Sequence, residues 1–378
     1  MVKTNALARM VPIFVAVAFS APARGEDKTE STRPQYEFED IVVPAATRDE
    51  ETLKEFSLQA ADHYLEQGAL GWSRKKKCVT CHTTGTYLRM RPALTHRLGK
   101  PNGEIRDLFL SSYKRLKSMD ASERMGSVSP TQAAYVAAGL VEWDKHVTGR
   151  LSAEAIAALE LLFECQSEEG SWGNQRCWPP LESSAYHGTT VALMAAAAAP
   201  EWLESVDQKT KARMEKGKRY LLHPGPPHDY GRLLLLWTAT RIPDLLADRG
   251  EREKLIEMIF NHQRPDGGWS IRTFARPEEW GDGSRAAKLR EEREFKAPPS
   301  DGHMTGLAIL VLREAGIGAD DKRIQKGTRW LLANQRVSGR WWTRSLNKDS
   351  WHFITYSGTL YPLIALEKCG LLADKKKL

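Results

Sequence analysis

One short skeleton recurs along this 378-residue chain: Gln, three residues, Gly, one residue, Trp. It stands at Gln166, Gly170, Trp172, at Gln263, Gly267, Trp269 and at Gln335, Gly339, Trp341, with a looser copy at Gln67, Gly71, Trp72. Each copy follows an amphipathic run and precedes a more uniformly apolar one, so each reads as a corner between two helices. Gly supplies the left-handed conformation that ends the first helix, Gln satisfies loose backbone groups, and Trp covers the joint with a large apolar plate. A repeated corner predicts repeated helical hairpins.

The hydrophobic periodicity supplies the helices. Amphipathic runs at 51–67, 103–119, 152–166, 207–222, 251–263 and 321–335 repeat apolar residues at helical spacing, as in Leu53, Phe56, Ala60, Tyr64. Between them lie six runs with few charges, beginning near Thr83, Pro130, Tyr186, Tyr230, His303 and Tyr356. Helices apolar on every side are buried on every side. Six outer helices around six inner ones make an all-α fold, an (α/α)6 toroid whose inner-helix N-termini crowd round one opening. No strand is expected. Pro92 and Pro362 fall inside inner helices and predict kinks there. The connection 270–302 is about twice as long as the others and reads as an insertion at the mouth, a short helix or lid, or a solvated excursion.

The first 25 residues read as a secretory signal: Lys3 and Arg9, an apolar run over 10–19, then the small residues Ala21, Ala23 and Gly25. The run is too short to span a bilayer. A soluble, exported protein is expected, periplasmic in a Gram-negative-type cell, with a polar, flexible leader over 26–50 and one toroid domain over 51–378. The charge of +7 is interspersed, and its two compact basic runs, 75–77 and 375–377, read as solvated surface, with a polyanion contact as the alternative. No nucleic-acid partner is expected.

The corner skeleton with its paired helices resembles the squalene-hopene cyclase and prenyltransferase "QW" repeat family over most of 51–370. The resemblance implies an (α/α)6 toroid with a central apolar cavity that holds a hydrophobic or other small molecule. The Asp-x-Asp-Asp acid motif of the cyclases is missing; the nearest pair, Asp320-Asp321, sits where it would cap the last outer helix. Related toroids, the farnesyltransferase β-subunits and lanthionine cyclases, hold a lumenal zinc. Here His187 and His303 stand at equivalent helix entries, read either as catalytic or zinc-binding residues or as hydrogen-bonded entry residues.

The segment Cys78-Val-Thr-Cys81-His82 carries the sharpest chemistry. Two thiols at this spacing add to the vinyl groups of haem while the next His ligates iron, which gives haem c. Zinc ligation, a redox disulfide and chance are the rival readings. Arg89 and Arg91 pair haem propionates or snorkel. Met90 would lie about 12 Å along the same helix, on the same side of a haem as His82, so it reads as core. Met125 or His352, or His187 and His303 from across the mouth, remain for the sixth iron position. Arg344 and His352, in the connection to the last inner helix, are placed to bind anions or orient a ligand, or else cap that helix. Cys165 and Cys177 are expected to pair in an oxidising compartment.

The leading functional expectation is an exported haem c toroid acting by redox or small-ligand chemistry on a molecule in the cavity, with a periplasmic redox partner. A cyclase-like or prenyl-transfer-like enzyme, zinc-assisted through Cys78, Cys81, His82, His187 and His303, is the second reading. A non-catalytic toroid holding a lipid or glycan is the third.

Overall fold

The computed structural model describes residues 33–173, 179–181, 184–292 and 296–372. The expected signal segment, Cys177 and the basic run 375–377 lie outside them. The chain is mostly helical. Among the described residues, twelve helices are seven residues or longer: α1 (Leu58–Lys76), α2 (Thr84–Met90), α3 (Gly103–Ser118), α4 (Ser129–Trp143), α5 (Ala153–Glu164), α6 (Ala185–Ala197), α7 (Gln208–Leu222), α8 (Asp229–Arg241), α9 (Arg249–Asn261), α10 (Gly302–Glu314), α11 (Lys322–Ala333) and α12 (Ile354–Lys368). No described helix is long and apolar enough to cross a membrane.

Odd and even helices differ as the sequence predicts. Every odd helix opens on a side-chain cap, from Ser57, Asn102, Ser152, Asp207, Asp248 and Asp321, which satisfies one of the unpaired N–H groups of its first turn. Asp321 thus caps α11, the role expected for it. The even helices are buried on nearly all sides; in α12 every residue from Ile354 to Leu366 is buried. They touch in the order α2, α4, α6, α8, α10, α12, and α12 returns to α2. Each odd helix packs against the even helix next to it, and α1 lies against both α2 and α12.

The three strict corners repeat one set of bonds. Trp172, Trp269 and Trp341 are fully buried, and their indole N–H groups donate to the carbonyls of Leu162, Ile259 and Leu331, each at 2.7 Å. Their backbone N–H groups donate to the hydroxyls of Thr189, Thr305 and Thr359 on the following even helix. The Gln side chains each bridge two carbonyls, one within the corner and one at the next odd helix: Gln166 to Arg213, Gln263 to Arg323 and Gln335 to Ser57. Gly170, Gly267 and Gly339 all hold φ between +89° and +99°, the conformation assigned to them from the sequence. The looser copy is not a corner: Gln67, Gly71 and Trp72 lie within α1, which runs on to Lys76.

The reason is the leader. An antiparallel hairpin, β1 (Tyr36–Phe38) and β2 (Ile41–Val43), stands where no strand was expected, and it packs on α1. Gly71 makes room for it, since a Cβ there would lie 3.2 Å from Ile41, while Gly68 admits both Tyr356 of α12 and Tyr36 of the hairpin, whose rings a Cβ would meet at 2.8 and 3.0 Å. Arg340 pairs with Glu50 at 2.7 Å and donates to the carbonyls of Pro44 and Ala45, fastening the leader to the last corner. Pro92 ends α2 rather than bending it, because the chain passes into a 3-10 turn at Arg91–Leu94, whereas Pro362 is carried inside α12.

Candidate functional site

Cys78, Cys81 and His82 form the approach to α2. The Thr84 hydroxyl accepts from Thr80 N–H at 3.1 Å and the Thr86 hydroxyl donates to the Cys81 carbonyl, so the Cys-x-x-Cys turn is folded back on the first turn of the helix. Both cysteines are thiols; Cys81 is buried and Cys78 is partly exposed. The His82 ring stacks on Phe353 at 4.9 Å and 13°, with Trp72 edge-on at 4.8 Å. Its Nδ1 lies 2.9 Å from the Thr83 hydroxyl, which lies 3.0 Å from the Tyr36 hydroxyl of the leader hairpin. Removal from water pushes the imidazole down to about 4, so it is neutral near pH 7. Cys81 and His82 line a cavity of about 250 Å³ whose other walls include Trp72, Leu181, Trp351 and Phe353.

His187 and His303 are completely buried, on α6 and α10. Tyr135 of α4 lies 3.0 Å from His187 Nε2, and Tyr230 of α8 lies 3.2 Å from His303 Nε2. Burial pushes both imidazoles down to about 3, with Arg89 adding to the effect at His187. These histidines, like His82, each face an aromatic ring, from the neighbouring even helix or, for His82, from the residue that precedes α12. The three pairs are Tyr135 with His187, Tyr230 with His303, and Phe353 with His82. They are not gathered as ligands: among the described residues no three His, Cys, Asp or Glu side chains converge as a metal site requires.

A second cavity, of about 450 Å³, lies between the leader, the insertion and the connection to α12. Arg272 and Glu292 of the insertion form a buried ion pair, with Nη2 to Oε1 at 2.8 Å, and Arg272 also donates to the carbonyls of Arg344 and Ser345. Arg344 is bidentate to Asp349 at 2.9 and 3.1 Å and also faces Glu292, so its charge is neutralised within the protein. Burial opposes the ionisation of Asp349, yet Arg344 and Lys288 hold it down at about 2. Asp301 caps α10 through Met304 N–H and also accepts from Ile271 N–H; burial outweighs both and raises it to about 6. His352 Nδ1 accepts from Ser345 N–H at 3.0 Å, and burial lowers this imidazole to about 4. Trp351 and His352 both adopt left-handed φ, +54° and +43°, which is costly for bulky side chains. Ser350 and Trp351 line both cavities.

The remaining expected residues separate. Arg91 is bidentate to Asp62, at 2.6 and 3.2 Å, and donates to the Gly99 carbonyl, so it braces α2 against α1. Arg89 is buried, with its guanidinium over the Trp237 ring and Nη2 3.8 Å from the Met194 sulfur. Met90 is core, and Met125 ends a short helix before α4, packed against the core. Cys165 is buried; its expected partner Cys177 lies outside the described residues. The insertion contains the short helix Ala286–Glu291. Sequence reasoning missed Trp72 as a cavity wall, Phe353 as the stacking partner of His82, and the pair Arg272 and Glu292. Phe353 stands three residues ahead of Tyr356, near which the last apolar run begins. An ion pair twenty residues apart across an irregular insertion leaves no periodic trace. Comparison of the chain with models of known protein families and with curated proteins finds no match.

Proposed function

We propose that the chain is an exported (α/α)6 toroid, the even helices forming its inner wall, in which Cys78 and Cys81 would hold one haem c covalently and His82 would ligate its iron. The closed order of contacts among the even helices supports the architecture. The single observation that carries the function is that Cys81 and His82 border one cavity walled by aromatic and apolar side chains, with both cysteines of the motif present as thiols. The residues fit such a group in donor chemistry. A thioether needs a reduced thiol, and an iron ligand needs a neutral imidazole, which His82 is down to about pH 4. With Nδ1–H donating to the Thr83 hydroxyl, Nε2 keeps its lone pair for the metal, and the Tyr36 hydroxyl steadies Thr83 from behind.

When bound, the haem supplies one-electron or small-ligand chemistry. The chain's part is to hold and shield it. Trp72 and Phe353 fix the plane of His82, and Leu181 and Ile354 keep the wall dry. The neighbouring polar cavity, which shares Ser350 and Trp351, is the place for a polar reaction partner. Expression in a host with cytochrome c maturation tests the reading: the purified protein is expected to show a Soret band that survives denaturation and acid-acetone extraction. Cys81→Ala is expected to make the haem extractable and His82→Ala to shift the spectrum, with Met90→Leu nearly silent. A colourless wild-type protein from that host would overturn the proposal.

A further inference from the structure

The three histidine pairs differ in one respect. At the α8/α10 pair the hydrogen bonds are complete: Tyr230 donates to His303 Nε2, His303 Nδ1–H donates to the Ser357 hydroxyl at 2.8 Å, and Ser357 donates to the Ile354 carbonyl. At the third pair His82 Nδ1 has the Thr83 hydroxyl. At the α4/α6 pair the Tyr135 hydroxyl lies 3.0 Å from His187 Nε2; in the tautomer in which Tyr135 donates, as Tyr230 does, the proton of the neutral ring is on Nδ1, and that atom is buried without a partner. The residue after His187 cannot supply one as Thr83 does. It is Gly188, where a Cβ would lie 1.9 Å from the Trp172 carbonyl of the corner. A buried donor without an acceptor is costly, and native structures rarely leave one.

A second anomaly sits beside it. Arg89, 7 % exposed, has no carboxylate partner among the described residues. Its neighbours are the Met194 sulfur and the Trp237 ring face, 4.7 Å from the guanidinium carbon, and an indole face returns less than removing a cation from water costs. The Met194 contact sets the guanidinium against α6, the helix that carries His187, and its charge acts on His187, Tyr135, Tyr230 and Tyr361. A buried cation without a carboxylate partner and an unfilled N–H donor, both along α6, share a single remedy, an acceptor with negative charge.

We propose that the protein binds a small monovalent anion, a halide or the carboxylate of a short organic acid, between the Arg89 guanidinium and His187 Nδ1–H. The site does not depend on haem. The anion offsets the charge of Arg89, accepts the orphan proton of His187, and gives the α4/α6 pair the acceptor that Ser357 gives the α8/α10 pair.

The test uses the full exported protein in a sulfonate buffer with sodium sulfate holding the ionic strength constant. Bromide or acetate is titrated in during thermal unfolding, with Arg89→Met run in parallel. Wild type is expected to gain several degrees of Tm, saturating with one of the two anions, while Arg89→Met shows no such gain. A crystal soaked in bromide is expected to give an anomalous peak within hydrogen-bond reach of both Arg89 and His187. Response to bromide assigns an inorganic ion and response to acetate alone assigns an organic acid; both support the site. Equal responses of wild type and Arg89→Met, with no density between the two side chains in bromide or acetate crystals, would overturn it. If Arg89→Met does not fold, the soaked wild-type crystals decide.

Discussion

Four imidazoles set the acid response at the scale of single residues. His82 and His352 are held down at about 4, and His187 and His303 at about 3, by burial. In the unfolded chain a His titrates near about 6.5. Below that the unfolded state binds protons that the folded state refuses, so each contribution is fully present above about pH 6.5 and is lost as pH falls toward the folded value. Each can cost up to about 1.4 kcal/mol per pH unit in that window. Asp301 runs the other way: its folded value of about 6 is raised, so its contribution is present at low pH and is lost as pH rises through 6. With these four, and His228 also lowered by burial, against one raised carboxyl, Tm is expected to fall steadily from pH 7 to 4.5. His303→Gln is expected to lower Tm at pH 7 and flatten the slope, read by differential scanning calorimetry. A wild-type Tm that rose on acidification would contradict the burial of these rings.

At the scale of elements, the corners carry the repeat. Trp269→Ala removes a fully buried indole and its bond to Ile259, and is expected to cost about 3–5 kcal/mol in chemical denaturation. Gly339→Ala combines φ of +89° with a Cβ 2.2 Å from Ala60 backbone, so it is expected to destabilise by at least about 1–3 kcal/mol through backbone strain alone. A Gly339→Ala protein as stable as wild type would refute the role given to that glycine. These corners were legible in the sequence because one spacing performs one set of bonds three times. The starts of the apolar runs were legible too: Thr83, Pro130, Tyr186, Tyr230, His303 and Tyr356 all fall within two residues of where the even helices begin. The hairpin was not, because three-residue strands are too short to display alternation and the leader reads as polar. The false corner at Gln67 had the same root, since its Gly71 serves the packing of that hairpin and not a turn. Of the site, Cys78, Cys81 and His82 were written in contiguous residues, whereas Trp72, Phe353 and Arg272 meet only through tertiary packing.

At the scale of the whole molecule, the first and last repeats are joined by side chains from opposite ends of the chain. Gln335 bonds both Ser57 N–H and its carbonyl, Leu53 N–H donates to the Gln335 carbonyl, and Tyr356 donates to the Leu65 carbonyl. Gln335→Leu is expected to leave most of the fold intact while raising hydrogen exchange in α1 and α12. Unchanged exchange there would mean that the seam is held by apolar packing alone. The same seam carries His82, Phe353 and Trp72, so the joint between first and last repeats is also the wall of the proposed haem cavity. The most direct test of the account is the intact mass of the protein produced with the cytochrome c maturation machinery and denatured before measurement. The account predicts a single species heavier than the processed chain by one haem, with neither Cys78 nor Cys81 available to an alkylating reagent. A species at the unmodified mass, with both thiols alkylated, would contradict it.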